Sequence, residues 1–244
     1  MTTSRDFQRA RSPEAKLVRE AAILDAARRL GAERGIREVT LTDIADAVGM
    51  HKSAMLRYFE TREEIFLRLT AEGWRDWAPA LAERLRAVER PDPDAVAAAF
   101  AGTLAARPMF CDLLAQTPLN LERNVSVEKV REFKLTTGDG LGRIVPAVRA
   151  ALPGLTEQDG VDVVAAATSM AGTFHQIATP GPEVAALYRS DPRLSHALVD
   201  VEPRLARILA SMLRGLAGVN PAPPPRTAGT APPGGRRAPA APAP

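Results

Sequence analysis

Apolar residues in this chain recur at spacings of three and four, and no sustained run alternates apolar with polar. The pattern predicts an all-α fold. Ser12, Pro13 and Glu14 supply a cap, a first-turn proline and an early acid. A helix is therefore expected from 13 to about Gly35, burying Leu17, Ala21, Leu24, Ala27 and Leu30. Thr40 and Asp43 are spaced as an acidic capping box, and Leu41, Ile44, Ala45 and Val48 share one side of a two-turn helix that Gly49 ends. A second short helix is expected over 52–59, with Met55 and Phe59 facing inward. Thr61 and Glu64 repeat the capping grammar before a long helix to about Leu85, which buries Ile65, Phe66, Leu69, Trp74, Trp77 and Leu81. Past the proline-rich seam Arg90–Asp94, helices are expected near 93–106, 108–116, 126–151, 157–178 and 198–217. Gly138, Gly140 and Gly142 each cost about 0.8–1 kcal/mol relative to alanine inside a helix, so a kink or break is open within 126–151.

Two short helices joined by a glycine turn and braced by longer ones read as a helix-turn-helix, whose second helix offers its outer side to the DNA major groove. That helix carries the right chemistry. Lys52 and Arg57 can pair with phosphates or guanine, Ser53 is a small hydrogen-bonding group, and Tyr58 has a hydroxyl for a phosphate oxygen. Leu56 and Ala54 offer apolar contact only. Thr40, Thr42 and His51 flank this surface and complete the DNA-binding candidates, with Lys52, Ser53, Leu56, Arg57 and Tyr58. Two other readings stay open: a solvated face, or a helical module that binds protein rather than DNA.

Charge changes this picture less than its total suggests. The 244 residues carry a formal charge of +3, and Arg226, Arg236 and Arg237 in the acid-free tail from Val219 account for it. Clustering is more informative: Arg5, Arg9, Arg11, Lys16 and Arg19 face only Asp6 and Glu14, which reads either as a basic arm for a phosphate backbone or as a solvated terminus. The tail is too rich in proline, glycine and alanine to bury a core, and disorder is expected there. MTTSRDFQRARSPE has no apolar run after its charges, so no secretory signal is expected. No apolar stretch reaches the roughly 18 residues of a membrane helix. One cysteine, Cys111, excludes an internal disulfide and a thiolate metal cluster, and a small buried hydrophobe in a reducing, cytoplasmic setting is expected.

Catalytic signatures are thin. Gly138, Gly140 and Gly142 follow no strand, so they form no dinucleotide loop. His51, His175 and His196 lack metal-ligand spacing, and Asp92 and Asp94 sit in a proline linker where a helix cap explains them. No enzyme activity, cofactor or metal is expected.

The stretch GIREVTLTDIADAVGMHKSAMLRYFETREEIF resembles the DNA-binding domain of TetR-type transcriptional regulators. The likeness spans about 15–68 and rests on the Thr40–Ala45 helix, the Ala47–Met50 turn, Lys52, the pair Tyr58-Phe59 and the Glu63-Glu64-Ile65 opening. Beyond residue 85 it extends only to helical content and the Leu121–Asn124 segment. The resemblance implies a three-helix head, a larger helical domain that dimerises and usually holds an inducer, and repression of a palindromic operator. This chain departs from the pattern at His51, where a serine or threonine cap is usual, at Ala54 in place of threonine, and at Leu56 in place of a phosphate-contacting tyrosine. Tyr58 and Arg57 are then expected to carry more of the backbone contact.

On this reading residues 1–12 form a flexible basic arm, 13–61 the DNA-binding domain, 62–218 the regulatory and dimerisation domain, and 219–244 the tail. A homodimer is expected through small residues on one helix (Val161, Ala165, Thr168, Gly172) and an apolar stripe on the last (Leu205, Ile208, Leu209, Met212, Leu216), unless both stripes are core within one chain. A small apolar inducer is expected among Trp74, Trp77, Met109, Phe110, Phe133, Met170, Phe174 and His175, each of which could equally be plain core.

Overall fold

The computed structural model describes residues 13–219, so the expected arm, 1–12, and all of the expected tail except Val219 lie outside the described residues. Among these there is no strand. Ten α-helices follow in order: α1 (Pro13–Arg34), α2 (Leu41–Ala47), α3 (Lys52–Met55), α4 (Arg62–Arg86), α5 (Pro93–Ala105), α6 (Pro108–Gln116), α7 (Val127–Ala151), α8 (Glu157–Ala178), α9 (Pro182–Ser190) and α10 (Val201–Val219). Short 3₁₀ turns lie at Ile36–Glu38, Leu121–Arg123 and Pro192–Ala197.

Local chemistry sets the helix starts. The Thr40 hydroxyl accepts from Asp43 N–H at 3.1 Å, while the Asp43 carboxylate accepts from Thr40 N–H at 2.7 Å. Thr156 and Asp159 repeat this box at α8. Thr61 caps α4, and Asp92 with Pro93 opens α5.

Helices α1 to α3 form a head that packs on the first turns of α4. From there α4 runs on into a body, where it packs on α7, α5 packs on α10, and α6 packs on α8. α5 and α6 meet at 90°, and no single described helix is long and apolar enough to cross a membrane. Ile36, Val39, Ile44, Met55, Ile65 and Phe66 are buried in a core shared by head and body.

Several expectations are corrected. The inner side of α1 is Ile23, Leu24, Ala26, Ala27 and Leu30, whereas Leu17 is 64% exposed and Ala21 is exposed too. Burial along α1 begins at Ile23, and residues 14–22 before it are exposed or half-buried. The second short helix ends at Met55, and 56–58 continue as turns. His51 makes no side-chain cap bond, and the chain must turn extended to bring Thr61 into position to cap α4. α7 runs unbroken through its glycines: Gly140 lies against Trp74, where a Cβ would stand 2.9 Å from the indole. The last helix starts at Val201 rather than 198, and α9 had no expected counterpart.

The stripes on α8 are also rotated from expectation. Its buried side is Gly160, Val163, Val164, Ala167, Thr168, Ala171 and Gly172. Thr168 and Gly172 therefore belong to the core of one chain. Gly172 is small because α6 passes there: a Cβ would lie 2.8 Å from Ala115 N. Leu205 and Leu209 are likewise fully buried, on a helix that packs against both α5 and α8. Val161, Ile208, Met212 and Leu216 are half-buried, and Ala165 is exposed.

Candidate nucleic-acid interface

The turn between α2 and α3 is built by backbone chemistry. Gly49 takes φ +65°, a conformation side chains resist, while its N–H donates to Asp46 O at 3.1 Å and Met50 N–H donates to Ala45 O at 2.9 Å. These two bonds make a Schellman stop, which reverses the chain and delivers it to α3. Met55 and Phe59 then lock the segment from behind, both buried, and Tyr58 is half-buried against the same core. The outer side carries His51, Lys52, Ser53, Leu56 and Arg57, all exposed, with Leu56 at 52%. Thr42 is exposed on α2. Thr40 is exposed too, but its hydroxyl hydrogen is donated to Asp43 at 2.6 Å.

The charges sort themselves by partner. Asp43 is held below the usual carboxylate range, first by the Thr40 hydroxyl and then by the Thr40 amide. Arg34 reaches the same carboxylate at 3.4 Å. Arg62 turns inward: its guanidinium donates to the Val39 and Ile36 carbonyls and stacks 4.8 Å from the Phe66 ring centre. Lys52 and Arg57 have no ion pair among the described residues. The segment thus offers two unneutralised cations on a rigid, half-apolar mount, which suits a phosphate backbone.

Head and body are tied by groups that sequence reasoning missed. Asp112 of α6 accepts from Ile36 N–H at 2.8 Å and from Gln176 Nε2 at 2.8 Å, linking the turn before α2 to α6 and α8. Arg28 pairs with Glu72 at 2.8 Å, joining α1 to α4. Asp112 did carry a signal, as the lone charge in the apolar run PMFCDLLAQ.

The expected inducer residues do not enclose one pocket. Trp74 and Trp77 meet edge to face at 5.3 Å, and Phe110 lies 6.1 Å from Trp74 and 5.8 Å from Trp77. Trp77 Nε1 donates to Thr103 at 3.0 Å. This aromatic cluster fills the centre of the body, so these three residues are core. Phe133 lines a 50 Å³ crevice between α4 and α7. Met170 and Phe174 are half-buried on α8, with the Arg204 guanidinium 5.2 Å over the Phe174 ring. Met109 and His175 line a sizeable cavity at the seam between head and body. Cys111 is buried and its thiol is pushed up to about 12 by burial, with the Asp112 charge adding to the shift. Among the described residues no group of three metal-ligating side chains comes together.

The family model of bacterial regulatory proteins, tetR family, matches residues 23–69, and that of the tetracyclin repressor-like C-terminal domain matches residues 71–220. The chain belongs to the TetR family. TetR proteins are DNA-binding transcription regulators, and α2 and α3 are the helix-turn-helix of that fold. Among solved structures, the fatty acid degradation regulator FadR from Bacillus halodurans is 15% identical, over 82% of this chain and 95% of its own, with a TM-score of 0.49. A transcriptional regulator from Rhodococcus sp. Rha1 is 20% identical, over 84% of this chain and 99% of its own, at 0.49. The TetR regulator PfmR from Thermus thermophilus is 19% identical, over 79% and 97%, at 0.48. Likeness of this degree bears on neither operator nor ligand. No curated protein matches the chain.

Proposed function

We propose that this TetR-family chain is a homodimeric repressor that binds a palindromic operator and leaves it when a small molecule binds. Residues 13–61 form the reading head and 62–218 the regulatory body. The observation that carries this reading is the pair of unneutralised cations, Lys52 and Arg57, on a segment pinned from behind by Met55 and Phe59. Thr42, His51, Ser53 and Leu56 complete the surface that meets DNA, with Thr40 and Tyr58 at its edges.

Pairing of two copies uses the outward sides of α8 and α10. These helices lie side by side, with Arg204 over Phe174, and Val161 and Ala165 on α8 with Ile208, Met212 and Leu216 on α10 supply the pairing surface. Such a two-fold pair sets two recognition segments about 34 Å apart, one turn of duplex. Selection of bound sequences from a random duplex pool tests DNA binding and symmetry together. A palindrome with half-site centres about 10 base pairs apart is expected. An unpaired half-site, or no enrichment, contradicts the proposal.

A further inference from the structure

The cavity at the seam has a volume of about 630 Å³, and its wall joins the end of α1 and the following turn to α6 and the end of α8. Gly31, Ile36, Pro108, Met109 and Pro180 supply its apolar side. Asp112 is the acid in its interior, 7% exposed. A carboxylate accepts up to about four hydrogen bonds, and burying its charge is unfavourable unless a cation or several donors face it. Asp112 receives one neutral donor on each oxygen, Ile36 N–H and Gln176 Nε2, and has no ion pair among the described residues.

The neighbouring groups do not supply the missing charge. Burial pulls the His175 pKa below its ordinary value, against the opposing pull of Asp112, so the ring is neutral at neutral pH. Burial likewise keeps the Cys111 thiol protonated. Arg34 is engaged by Asp43 at 3.4 Å, while Arg37 and Glu38 stand exposed at the rim. A buried carboxylate with open acceptor sites therefore lines a cavity of mixed apolar and polar wall, large enough for a drug-sized molecule.

We propose that this cavity binds a small organic cation, with its ammonium or amidinium group on the Asp112 carboxylate and its apolar body against Ile36, Met109 and Pro180. The bound cation takes the open acceptor sites of Asp112 and draws the carboxylate toward itself, weakening the bond that Oδ2 accepts from Ile36 N–H. Ile36 follows Gly35, whose φ of +83° aims the turn at α6, and it leads into α2. Weakening this tie loosens the head from the body, so the cation lowers affinity for DNA. By linkage, DNA lowers affinity for the cation by the same factor. This deepens the release reading above. Cation binding is therefore measured on DNA-free protein, so that loss of cation binding and loss of DNA binding remain distinguishable.

The test is calorimetric titration of the full chain with benzamidine, its neutral isostere benzamide and the anion benzoate. Benzamidine is expected to bind about tenfold or more tighter than benzamide, because its amidinium adds a charge–charge attraction and a two-pronged donor fork to the Asp112 carboxylate, and benzoate is expected not to bind. Asp112→Asn keeps an acceptor for Ile36 N–H but removes the charge, and should abolish the preference for benzamidine. Met109→Trp narrows the cavity while leaving the Asp112 side chain itself unaltered. It should also abolish binding, and it serves if the Asp112 variant does not fold. Equal binding of benzamidine and benzamide, preference for benzoate, unchanged binding by both variants, or no binding of benzamidine up to its solubility limit would each overturn the proposal. A duplex from the selected pool then reads the coupling: benzamidine should weaken DNA binding in the wild type and not in the Met109→Trp variant. An equal response in both would overturn the release step.

Discussion

Replacing Gly172 by alanine distinguishes a helix packed inside one chain from a helix reserved for a partner. In an exposed helix, alanine gains about 0.8–1 kcal/mol over glycine. Gly142 of α7 should show that gain, because nothing lies within 4 Å of where its Cβ would stand. At Gly172 the new Cβ would lie 2.8 Å from Ala115 N, 3.1 Å from Ala115 Cα and 3.2 Å from Cys111 O. All three are backbone atoms of α6, which cannot rotate aside as a side chain would, so α6 or α8 must shift. Overpacking of this kind costs about 1–3 kcal/mol. Gly172→Ala should therefore sit about 1–3 kcal/mol below Gly142→Ala in stability. For a chain of this size that is roughly 2–4 °C of melting temperature per kcal/mol. Urea denaturation of both variants, repeated at several protein concentrations, reads the difference. A loss independent of concentration is expected, because the contact is within one chain. The reasoning is refuted if Gly172→Ala stabilises as much as Gly142→Ala, or if its only effect is a weaker dimer.

Trp77→Ala should cost about 3–5 kcal/mol in denaturation, since it empties the middle of the Trp74–Phe110–Phe100 cluster; a cost below about 1 kcal/mol would mean that the body centre is a loose pocket rather than core. Ile208→Glu should yield monomer in sedimentation while leaving the helix content of the chain intact, and a dimer of unchanged strength would remove the outward side of α10 from the interface. The pH dependence of His175 has a definite sign. Its folded pKa lies below 6.5, so the unfolded chain takes up the proton first. Its contribution to stability is present above pH 6.5 and falls away as the pH drops from there through the folded value. His175→Gln should flatten that decline in melting temperature, and an unaltered decline would assign it to other groups.

What the sequence disclosed was what neighbouring residues determine among themselves. The Thr40–Asp43 box closes over three residues, and both of its expected bonds form. The α6 span was expected in full, and α8 likewise, because proline, glycine and threonine punctuate them locally. Facing was harder. Val161, Ala165, Thr168 and Gly172 follow a helical spacing, yet only the position of α6 decides which of them turn inward. Periodicity cannot weigh the first turns of α1, where Leu17 and Val18 are apolar but 64% and 72% exposed. The glycines of α7 look like a break when propensity is considered alone; packing of Phe133, Ile144 and Val148 overrides them. The Asp112 tie spans 76 residues between donor and acceptor, and no local pattern reveals it.

The most direct test of the central reading is the salt dependence of binding to a selected duplex, measured by fluorescence anisotropy for the wild type, Lys52→Ala, Arg57→Ala and the double variant. If both side chains meet phosphates, each single substitution lowers affinity and flattens the slope of log K against log salt by about 0.9, and the double variant flattens it by about twice that. Slopes identical to the wild type in all three variants would contradict the account and remove the α3 segment from the DNA interface.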